Sequence, residues 1–417
     1  QQAMQTRPNI IWLTLDSVRY DHTSLGEYDR NTTTNIQELS ERSDAVSFSM
    51  CFSHARSSHA SVPSILSGTF PSRHRTYFGN QNQFPEELPL ISELLGSVGY
   101  QTHGLSNNAY ASSLTDLDRG FDNFTLLGST PKKMFQTAGI INSIKYLLNI
   151  RRHSCGFNTD VHAHSAGFIL NELAKSTIQQ ARQPFFLYIH YNEPHRAYYP
   201  PLPYIDRFTS DIEMKPSKAA SLSLEVHHKL LDIVANGCNL SINEMEALIA
   251  MYDAEIAYTD ELVGKLVDVI EAQLGETVIV VTADHGELFG EDNMLAHKYS
   301  MHNAVLNVPM VVAGISDLSD TGVIQHSDIV RTILEIAGAD TGTIQGVDLR
   351  TETRKYAISQ SGESDVAPLL ERNPNFDLSK FCSEEYSVIQ NEDYKYVRNV
   401  KNSQLYYLPD EDMNVID

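Results

Sequence analysis

The chain has 417 residues, of which 41% are hydrophobic and 20% charged, with 22 Gly and 16 Pro. This composition excludes collagen-like, low-complexity and wholly disordered proteins, and the length suits either about two to three domains or one large α/β unit with an appendage. Fifty-three acidic residues against 31 basic ones give a net charge of −22. A surface of this sign repels a phosphate backbone, so we expect no nucleic-acid partner.

The cysteines and the amino terminus leave the cellular compartment open. The four cysteines contain no CxxC pair, so they suggest neither a zinc site nor a disulfide scaffold. Residues 1–6 lack a signal-peptide pattern, and we interpret them as the stub of a cleaved leader or a cloning remnant. No stretch approaches the ~18 apolar residues that a membrane span needs, so we expect a soluble protein. It could be cytoplasmic, or exported if a leader was removed, and the oligomeric state is equally open.

Short apolar runs alternate along the chain with stretches of helical spacing. This alternation predicts an α/β fold with a mostly parallel central sheet between helices. In chain order we predict strands over 9–15, 102–106, 185–190 and 277–282, and helices over 88–99, 248–270 and 328–337. Residues 210–240 are polar and weakly patterned, and suggest only an insertion. Segments 394–400 and 404–408 predict a hairpin. We therefore divide the chain into an α/β domain over 7–340 and a small antiparallel unit over 341–417.

Two predicted strands end in residues that suit a metal ion. Asp16 follows the first strand, and alone it would be interpreted as a helix cap or a partner of Arg19. Asp284 and His285 follow the strand over 277–282. Because the carboxyl ends of parallel strands meet at one edge of a sheet, we expect these side chains to share one cation. Their oxygen and nitrogen donors suit Mg²⁺, Mn²⁺, Ca²⁺ or Zn²⁺.

The serine-rich segment 57–68 would by itself be typical of a turn. Its order of residues, however, resembles the signature of the sulfatase branch of the alkaline-phosphatase superfamily. That signature reads Cys or Ser, any residue, Pro or Ala, any residue, Arg, followed by a Ser-Leu-Leu-Thr-Gly-like stretch. Other segments resemble landmarks of the same family, and they lie at 9–16, 99–102, 284–286, Lys298 before Val308-Pro309, 328–338, Tyr394-Lys395-Tyr396 and Leu405-Tyr406.

The resemblance implies an alkaline-phosphatase-like fold and a metal-dependent hydrolase of sulfate esters. Register with the signature brings Ser58 to the position of the family nucleophile. By the same comparison Asp16, Asp284, His285 and the Ser58 side chain hold one divalent metal ion, with Ca²⁺ favoured and Mg²⁺ or Mn²⁺ as alternatives. A metal lowers the pKa of a bound hydroxyl and neutralises ester oxygens, which suits nucleophilic attack on sulfur or phosphorus.

Four further residues receive roles from the same resemblance. His195 matches the histidine that faces the leaving oxygen, although it could equally be a solvated loop histidine beside prolines. Lys298 would balance charge on the nonbridging oxygens of the substrate. His297 is a second candidate proton carrier and substrate contact. Asn107 stands in the substrate-binding segment that follows the 99–102 landmark.

The sequence departs from the family pattern at three places. Val62 occupies the position of the arginine that holds a formylglycine hydrate, so we expect Ser58 to stay unmodified. Ser106 and Asn107 replace a Gly-Lys pair, and Ser17 replaces a second aspartate. The loss of two cations favours a singly charged group, such as a sulfate monoester or a phosphate or phosphonate diester, over a dianionic phosphate monoester.

Three functions therefore stay open at this stage. The first is a sulfuric ester hydrolase, with phosphoric ester hydrolysis as an additional activity. The second is a phosphodiesterase or phosphonate monoester hydrolase that uses unmodified Ser58. The third is a catalytically weak relative that binds sulfated or phosphorylated glycans. In each case the partner is a small-molecule or glycan ester of unknown identity.

Overall fold

The computed structural model describes residues 7–76, 83–128, 130–157, 160–378, 383–399, 401 and 403–408, so the interpretation of residues 1–6 lies outside it. The strands are β1 Asn9–Leu15, β2 Ala45–Phe52, β3 Gln101–Ser106, β4 Asn123–Leu126, β5 Phe185–Tyr191, β6 Thr277–Ala283, β7 Leu288–Phe289, β8 Leu295–Ala296, β9 Asn307–Ala313, β10 Ala357–Ser361, β11 Tyr386–Gln390, β12 Tyr394–Asn399 and β13 Ser403–Tyr407. The helices are α1 Thr34–Ser40, α2 Ser58–Ser67, α3 Pro71–His74, α4 Ile91–Ser97, α5 Pro131–Leu148, α6 Ile150–His153, α7 Gly167–Gln180, α8 Pro216–His228, α9 Leu230–Ala235, α10 Ile242–Gln273, α11 Asn303–Leu306, α12 His326–Ala337 and α13 Ala367–Arg372.

Seven strands form the central sheet, in the order β2-β9-β6-β1-β5-β3-β4. Strands β6, β1, β5, β3 and β4 are parallel, and β9 pairs antiparallel with both of its neighbours. Every residue of β1 and β5 is buried, as expected for apolar strands covered on both faces. One packed group of helices contains α1, α7, α8 and α10, and another contains α2, α3, α4 and α12. The predicted α/β sheet between helices is confirmed.

The register of the parallel strands brings their carboxyl ends level with one another. Leu15 at the end of β1 pairs with Tyr191 of β5 and with Ala283 of β6. Ser106 at the end of β3 pairs with His190 of β5. Residues that directly follow these strands therefore meet at one edge of the sheet, where open α/β sheets hold their ligands.

Residues 210–240, for which the sequence suggested only a polar insertion, form two helices. They contain α8, which has Pro at its first position, and α9. Helix α8 buries Ala219, Ala220, Ser223 and Val226 and packs on α10. These mostly small side chains give a weak periodic signal, and the burial that stabilises the helix exists only in the tertiary fold.

Helix α10 begins at Ile242, six residues before the start that we predicted. Ser241 and Glu244 form a capping box, in which each side chain accepts a hydrogen bond from the backbone N–H of the other residue. This start signal is readable in the sequence, although polar residues mask the periodicity of the first turn.

Strands β10 to β13 form a separate antiparallel sheet inside the predicted C-terminal unit. Its first strand is tied to the main unit, because the Ser359 hydroxyl donates to the Ser53 carbonyl at 2.6 Å. The Gln325 side chain also exchanges two hydrogen bonds, each of 2.8 Å, with the backbone of Ile358. The small antiparallel unit is confirmed, while the boundary at residue 340 stays a prediction. Among the described residues, none of the helices has the length and apolar character needed to cross a bilayer.

Candidate active site

The level strand ends and the first turn of α2 bring four predicted site residues together. Ligand atoms of Asp16, Asp284 and His285 all lie within 4.8 Å of one another, and the three residues are fully buried. Ser58, the first residue of α2, donates from Oγ to Oδ2 of Asp284 at 2.7 Å. The same oxygen lies 3.4 Å from Oδ2 of Asp16 and 3.4 Å from Nε2 of His285. Residues from three distant parts of the chain thus form one cluster.

Backbone geometry around the cluster explains two of its small residues. A Cβ atom on Gly286 would lie 2.0 Å from the carbonyl oxygen of Ala304, so only glycine permits this approach of α11 to the end of β6. Ser17 adopts a left-handed conformation with φ 64°. Its N–H donates to Oδ1 of Asp284 at 3.2 Å, and its hydroxyl donates to Oδ1 of Asp16 at 2.7 Å. These bonds offset the strain of about 1–3 kcal/mol that such a backbone stores.

The two carboxyl groups differ in their affinity for a proton. Burial raises the pKa of Asp284, and the adjacent negative charge of Asp16 raises it further. Burial also opposes ionisation of Asp16, but nearby histidines, His195 first among them, outweigh it and lower the pKa of Asp16 below its usual range. Two buried carboxyl groups whose oxygens lie within 4.8 Å of each other favour a shared proton or a bound cation.

The ring of His285 is oriented so that it can bind a cation. Nδ1 of His285 donates to the Gly286 carbonyl at 2.8 Å, which leaves Nε2 with the lone pair when the ring is neutral. Nε2 lies 3.7 Å from Oδ1 of Asp16 and 3.8 Å from Oδ2 of Asp284. A lone pair facing two carboxylates is stabilised by a positive charge between them, so these donors fit a divalent ion.

His190 is a member of the site that sequence reasoning missed. It is fully buried near the end of β5, with Nε2 3.5 Å from Oδ2 of Asp16 and 3.8 Å from Oδ2 of Asp284. Nδ1 lies 3.0 Å from the Tyr188 hydroxyl, whereas Nε2 has no hydrogen-bond partner within the part of the chain described. Its place at a strand end was the available signal, but the strand pattern alone suggested an ordinary core residue.

The loop after β3 turns Asn108, rather than Asn107, toward Ser58. Nδ2 of Asn108 donates to Oδ2 of Asp16 at 2.7 Å and lies 3.2 Å from Oγ of Ser58. Oδ1 of Asn107 instead accepts the backbone N–H of Asn192 at 2.7 Å. Sequence reasoning missed Asn108 because spacing alone does not resolve which of two adjacent asparagines turns inward.

His297 packs against the metal-ligand candidates and carries its own carboxylate partner. Its ring centroid lies 4.1 Å from that of His285 and 5.5 Å from that of His195. Nδ1 of His297 is 2.8 Å from Oε1 of Glu287, whose other oxygen accepts from the Tyr198 hydroxyl at 2.7 Å. Burial lowers the pKa of His297 to about 4, so the ring is neutral at pH 7. Glu287, which the sequence analysis did not single out, therefore orients this imidazole.

The remaining two predicted site residues are His195 and Lys298. Nδ1 of His195 donates to the carbonyl of Arg196 at 2.9 Å, and the ring borders a cavity of about 300 Å³ that Asn107 also lines. Lys298 is exposed, and its ammonium lies 5.3 Å from the ring centroid of Tyr299. The structure thus brings His297, rather than Lys298, against His285. The substrate-binding role of Lys298 stays a prediction.

Comparison with known proteins assigns the family. The family model described as Sulfatase matches residues 8–339. The chain belongs to the sulfatase family. The resemblance to sulfatases is therefore confirmed, and the family is one of sulfuric ester hydrolases.

Individual members of the sulfatase family are only distantly similar to the chain. Arylsulfatase K of Xenopus laevis is 25% identical over 347 residues, which cover 76% of this chain and 60% of that protein. Choline-sulfatase of Rhizobium meliloti is 22% identical over 400 residues, covering 87% and 76% of the two chains. The phosphonate monoester hydrolase of Agrobacterium radiobacter has a TM-score of 0.74 at 18% identity, with 99% of this chain and 91% of that one covered. This last similarity supports the alkaline-phosphatase-like fold.

Proposed function

We propose that the chain is a metal-dependent hydrolase of sulfate monoesters in which the Ser58 hydroxyl is the nucleophile. The observation that carries the proposal is the position of Oγ of Ser58, 2.7 Å from Oδ2 of Asp284 and 3.4 Å from Oδ2 of Asp16. The hydroxyl also lies in the first turn of α2, where the positive end of the helix dipole favours a negative oxygen.

Asp16, Asp284 and His285 would hold the divalent cation, with the Ser58 oxygen beside it. When bound, this ion would neutralise the nonbridging oxygens of the ester and lower the pKa of the Ser58 hydroxyl. Oxygen-rich donor sets suit Ca²⁺, Mg²⁺ and Mn²⁺, and Ca²⁺ is the ion that the family resemblance favours.

Asp284, His195 and His297 carry the proton transfers of the proposed reaction. Oδ2 of Asp284 takes the Ser58 proton at 2.7 Å as Oγ forms a bond to sulfur and the bond from sulfur to the ester oxygen breaks. His195 gives a proton to the departing alcohol. Water then attacks the sulfur of the sulfated serine, the bond from sulfur to Oγ breaks, sulfate is released, and Asp284 returns its proton to Oγ to restore the Ser58 hydroxyl. Neutral His297, oriented by Glu287, accepts the proton of that water.

The proposal uses serine in its unmodified form. Val62, at the position of the family arginine, is fully buried in α2 and has no polar atom to hold an aldehyde hydrate. Near Oγ of Ser58, Asn108 supplies an uncharged amide. A neutral donor at this point suits a singly charged sulfate group, and the same argument applies to a phosphonate monoester or a phosphodiester as the second candidate substrate class.

Two neighbouring serines allow a matched test of the nucleophile. We expect Ser58→Ala to lower kcat/KM for 4-nitrophenyl sulfate by about 10³-fold or more, since the covalent route is lost. Ser57→Ala is the control, because the Ser57 side chain makes no capping hydrogen bond to α2, and it should stay within a few-fold of the wild type. Retained activity in Ser58→Ala would overturn the nucleophile.

Three measurements complete this test. Peptide mass should show Ser58 unmodified, whereas a loss of ~2 Da would indicate an aldehyde at that position. Parallel assays with 4-nitrophenyl sulfate, bis(4-nitrophenyl) phosphate and 4-nitrophenyl phenylphosphonate separate the two candidate substrate classes. Removal of divalent ions with a chelator should abolish hydrolysis, and readdition should restore it.

A further inference from the structure

One segment of the chain has a charge opposite to that of the whole. Residues 123–159 contain five basic residues and no Asp or Glu, a local charge of +5 within a chain of net charge −22. The basic residues are Lys132, Lys133, Lys145, Arg151 and Arg152, and all five are exposed. Lys145 pairs with Glu172 at 2.6 Å. The segment contains α5 and α6, which contact each other.

The second half of α5 exposes the side that a surface helix normally buries. Gly139 interrupts the helix with φ 78°, and five large apolar residues follow it. They are Ile140 at 80% exposure, Ile141 at 72%, Ile144 at 51%, Leu147 at 46% and Leu148 at 80%. Their spacing i, i+1, i+4, i+7, i+8 places them on one side of a helix, which we call the apolar face of α5. Tyr146 is fully buried and fixes the helix with this face outward.

We propose that the apolar face of α5, with the basic residues around it, docks on an anionic lipid surface. An exposed apolar stripe with Lys and Arg beside it is the pattern of a helix that lies in a membrane interface. The stripe enters the boundary between headgroups and acyl chains, and the long basic side chains reach the anionic headgroups.

Charge favours this occupant over a second copy of the chain. A symmetric dimer would place the same surface of each copy in contact and bring two segments of charge +5 together, which is repulsive. An anionic bilayer attracts the same residues, while the remaining surface, with its large negative charge, is repelled from it. The attraction therefore also sets the orientation of the protein on the lipid surface.

The first half of α5, which precedes Gly139 and the apolar face, borders a cavity beside the candidate active site. Pro131 and Met134 of α5, together with Val161, line the cavity that His195 borders. Val161 is itself 40% exposed, and Phe157, which lies within the segment 123–159, is 90% exposed. The docking does not depend on the proposed sulfatase chemistry.

The test uses the full chain and sedimentation with vesicles. We expect the wild type to sediment with vesicles made from equal parts of phosphatidylserine and phosphatidylcholine, and to stay in solution with phosphatidylcholine alone. Ile141→Ser with Leu148→Ser should lower the partition coefficient at least about tenfold, since two exposed anchors lose their apolar contacts. Arg151→Glu with Arg152→Glu should lower it by a similar factor or more.

Two matched controls isolate the face from general effects of substitution. Ile242→Ser removes an isoleucine that is 78% exposed on α10, and Lys215→Glu with Lys218→Glu reverses two exposed charges on and beside α8. Both should bind vesicles like the wild type. Hydrolysis of soluble 4-nitrophenyl sulfate should be the same in all of these variants, so failure of docking is distinguishable from failure of the proposed chemistry.

Three results would overturn the proposal. The first is that the wild type does not bind anionic vesicles. The second is that Ile141→Ser with Leu148→Ser, and Arg151→Glu with Arg152→Glu, bind these vesicles as tightly as the wild type. The third is a dimer in analytical ultracentrifugation that Ile141→Ser with Leu148→Ser dissociates, which would assign the face to contacts between copies of the chain.

Discussion

Two regions depart from the usual distribution of side chains, in which charged groups are exposed and apolar groups are buried. The cluster around Asp16 and Asp284 buries charged groups, whereas the apolar face of α5 exposes apolar ones. The cluster buries two carboxyl groups and two imidazoles with almost no access to water, while α5 exposes five isoleucines and leucines. Burying charge and exposing apolar surface are both unfavourable unless a partner is bound. The two proposals above therefore assign different partners to the two regions, a cation with an ester in one case and a lipid surface in the other.

The largest expected effect concerns the buried charges. Asp284→Asn removes the acceptor of the Ser58 proton and one ligand of the proposed cation, so we expect kcat/KM for 4-nitrophenyl sulfate to fall by about 10³-fold or more. The metal content of the purified variant, measured by mass spectrometry, should fall as well. Asp268→Asn, on the exposed side of α10, is the matched control. Full activity and full metal content in Asp284→Asn would refute the proposed metal centre.

An intermediate effect should separate two adjacent asparagines. Asn108→Ala loses the amide that bonds to Asp16 and reaches Ser58, and we expect kcat to fall by about 10–100-fold. Asn107→Ala loses a bond to the backbone of Asn192, so we expect a smaller change that appears mainly in KM. Steady-state kinetics of the two variants side by side measures the difference. The reverse order would show that Asn107 is the residue that serves the nucleophile.

The smallest effect should come from the exposed region. Ile141 is 72% exposed, so Ile141→Ser removes little buried area, and we expect the free energy of unfolding to change by no more than about 0.5 kcal/mol. Denaturation in urea measures this value. As a matched buried position, Ile279→Ser in the fully covered strand β6 should lose about 3 kcal/mol or more. A large loss in Ile141→Ser would mean that the apolar face of α5 is packed rather than free to dock.

The fold and the four central site residues were readable from the sequence because their signals are local. Apolar runs such as 9–15 and 277–282 are too short and too continuous for anything but buried strands, and Asp16 and Asp284 follow them directly. The rule that parallel strand ends meet at one edge then places the two acids together without further information. The resemblance of segment 57–68 to a known signature added Ser58.

Other members of the site depended on orientation, which local sequence does not encode. His190 lies within a strand and has the appearance of a core residue until the fold turns its Nε2 toward Asp16 and Asp284. Asn108 and Asn107 differ only in which side chain the loop turns inward. Glu287 gains a role because the fold brings His297 to it.

The sequence by itself determined the class of fold, the level of the strand ends and the chemistry of the donors, because these follow from periodicity and residue type over a few consecutive positions. Only the tertiary structure decided that Asn108, and not Asn107, faces Ser58. It also decided that α5 turns its apolar side to water. These two orientations depend on packing between elements that are far apart in the chain. The buried area and the hydrogen bonds that decide them come from residues distant in sequence, so a short stretch of sequence does not reveal them.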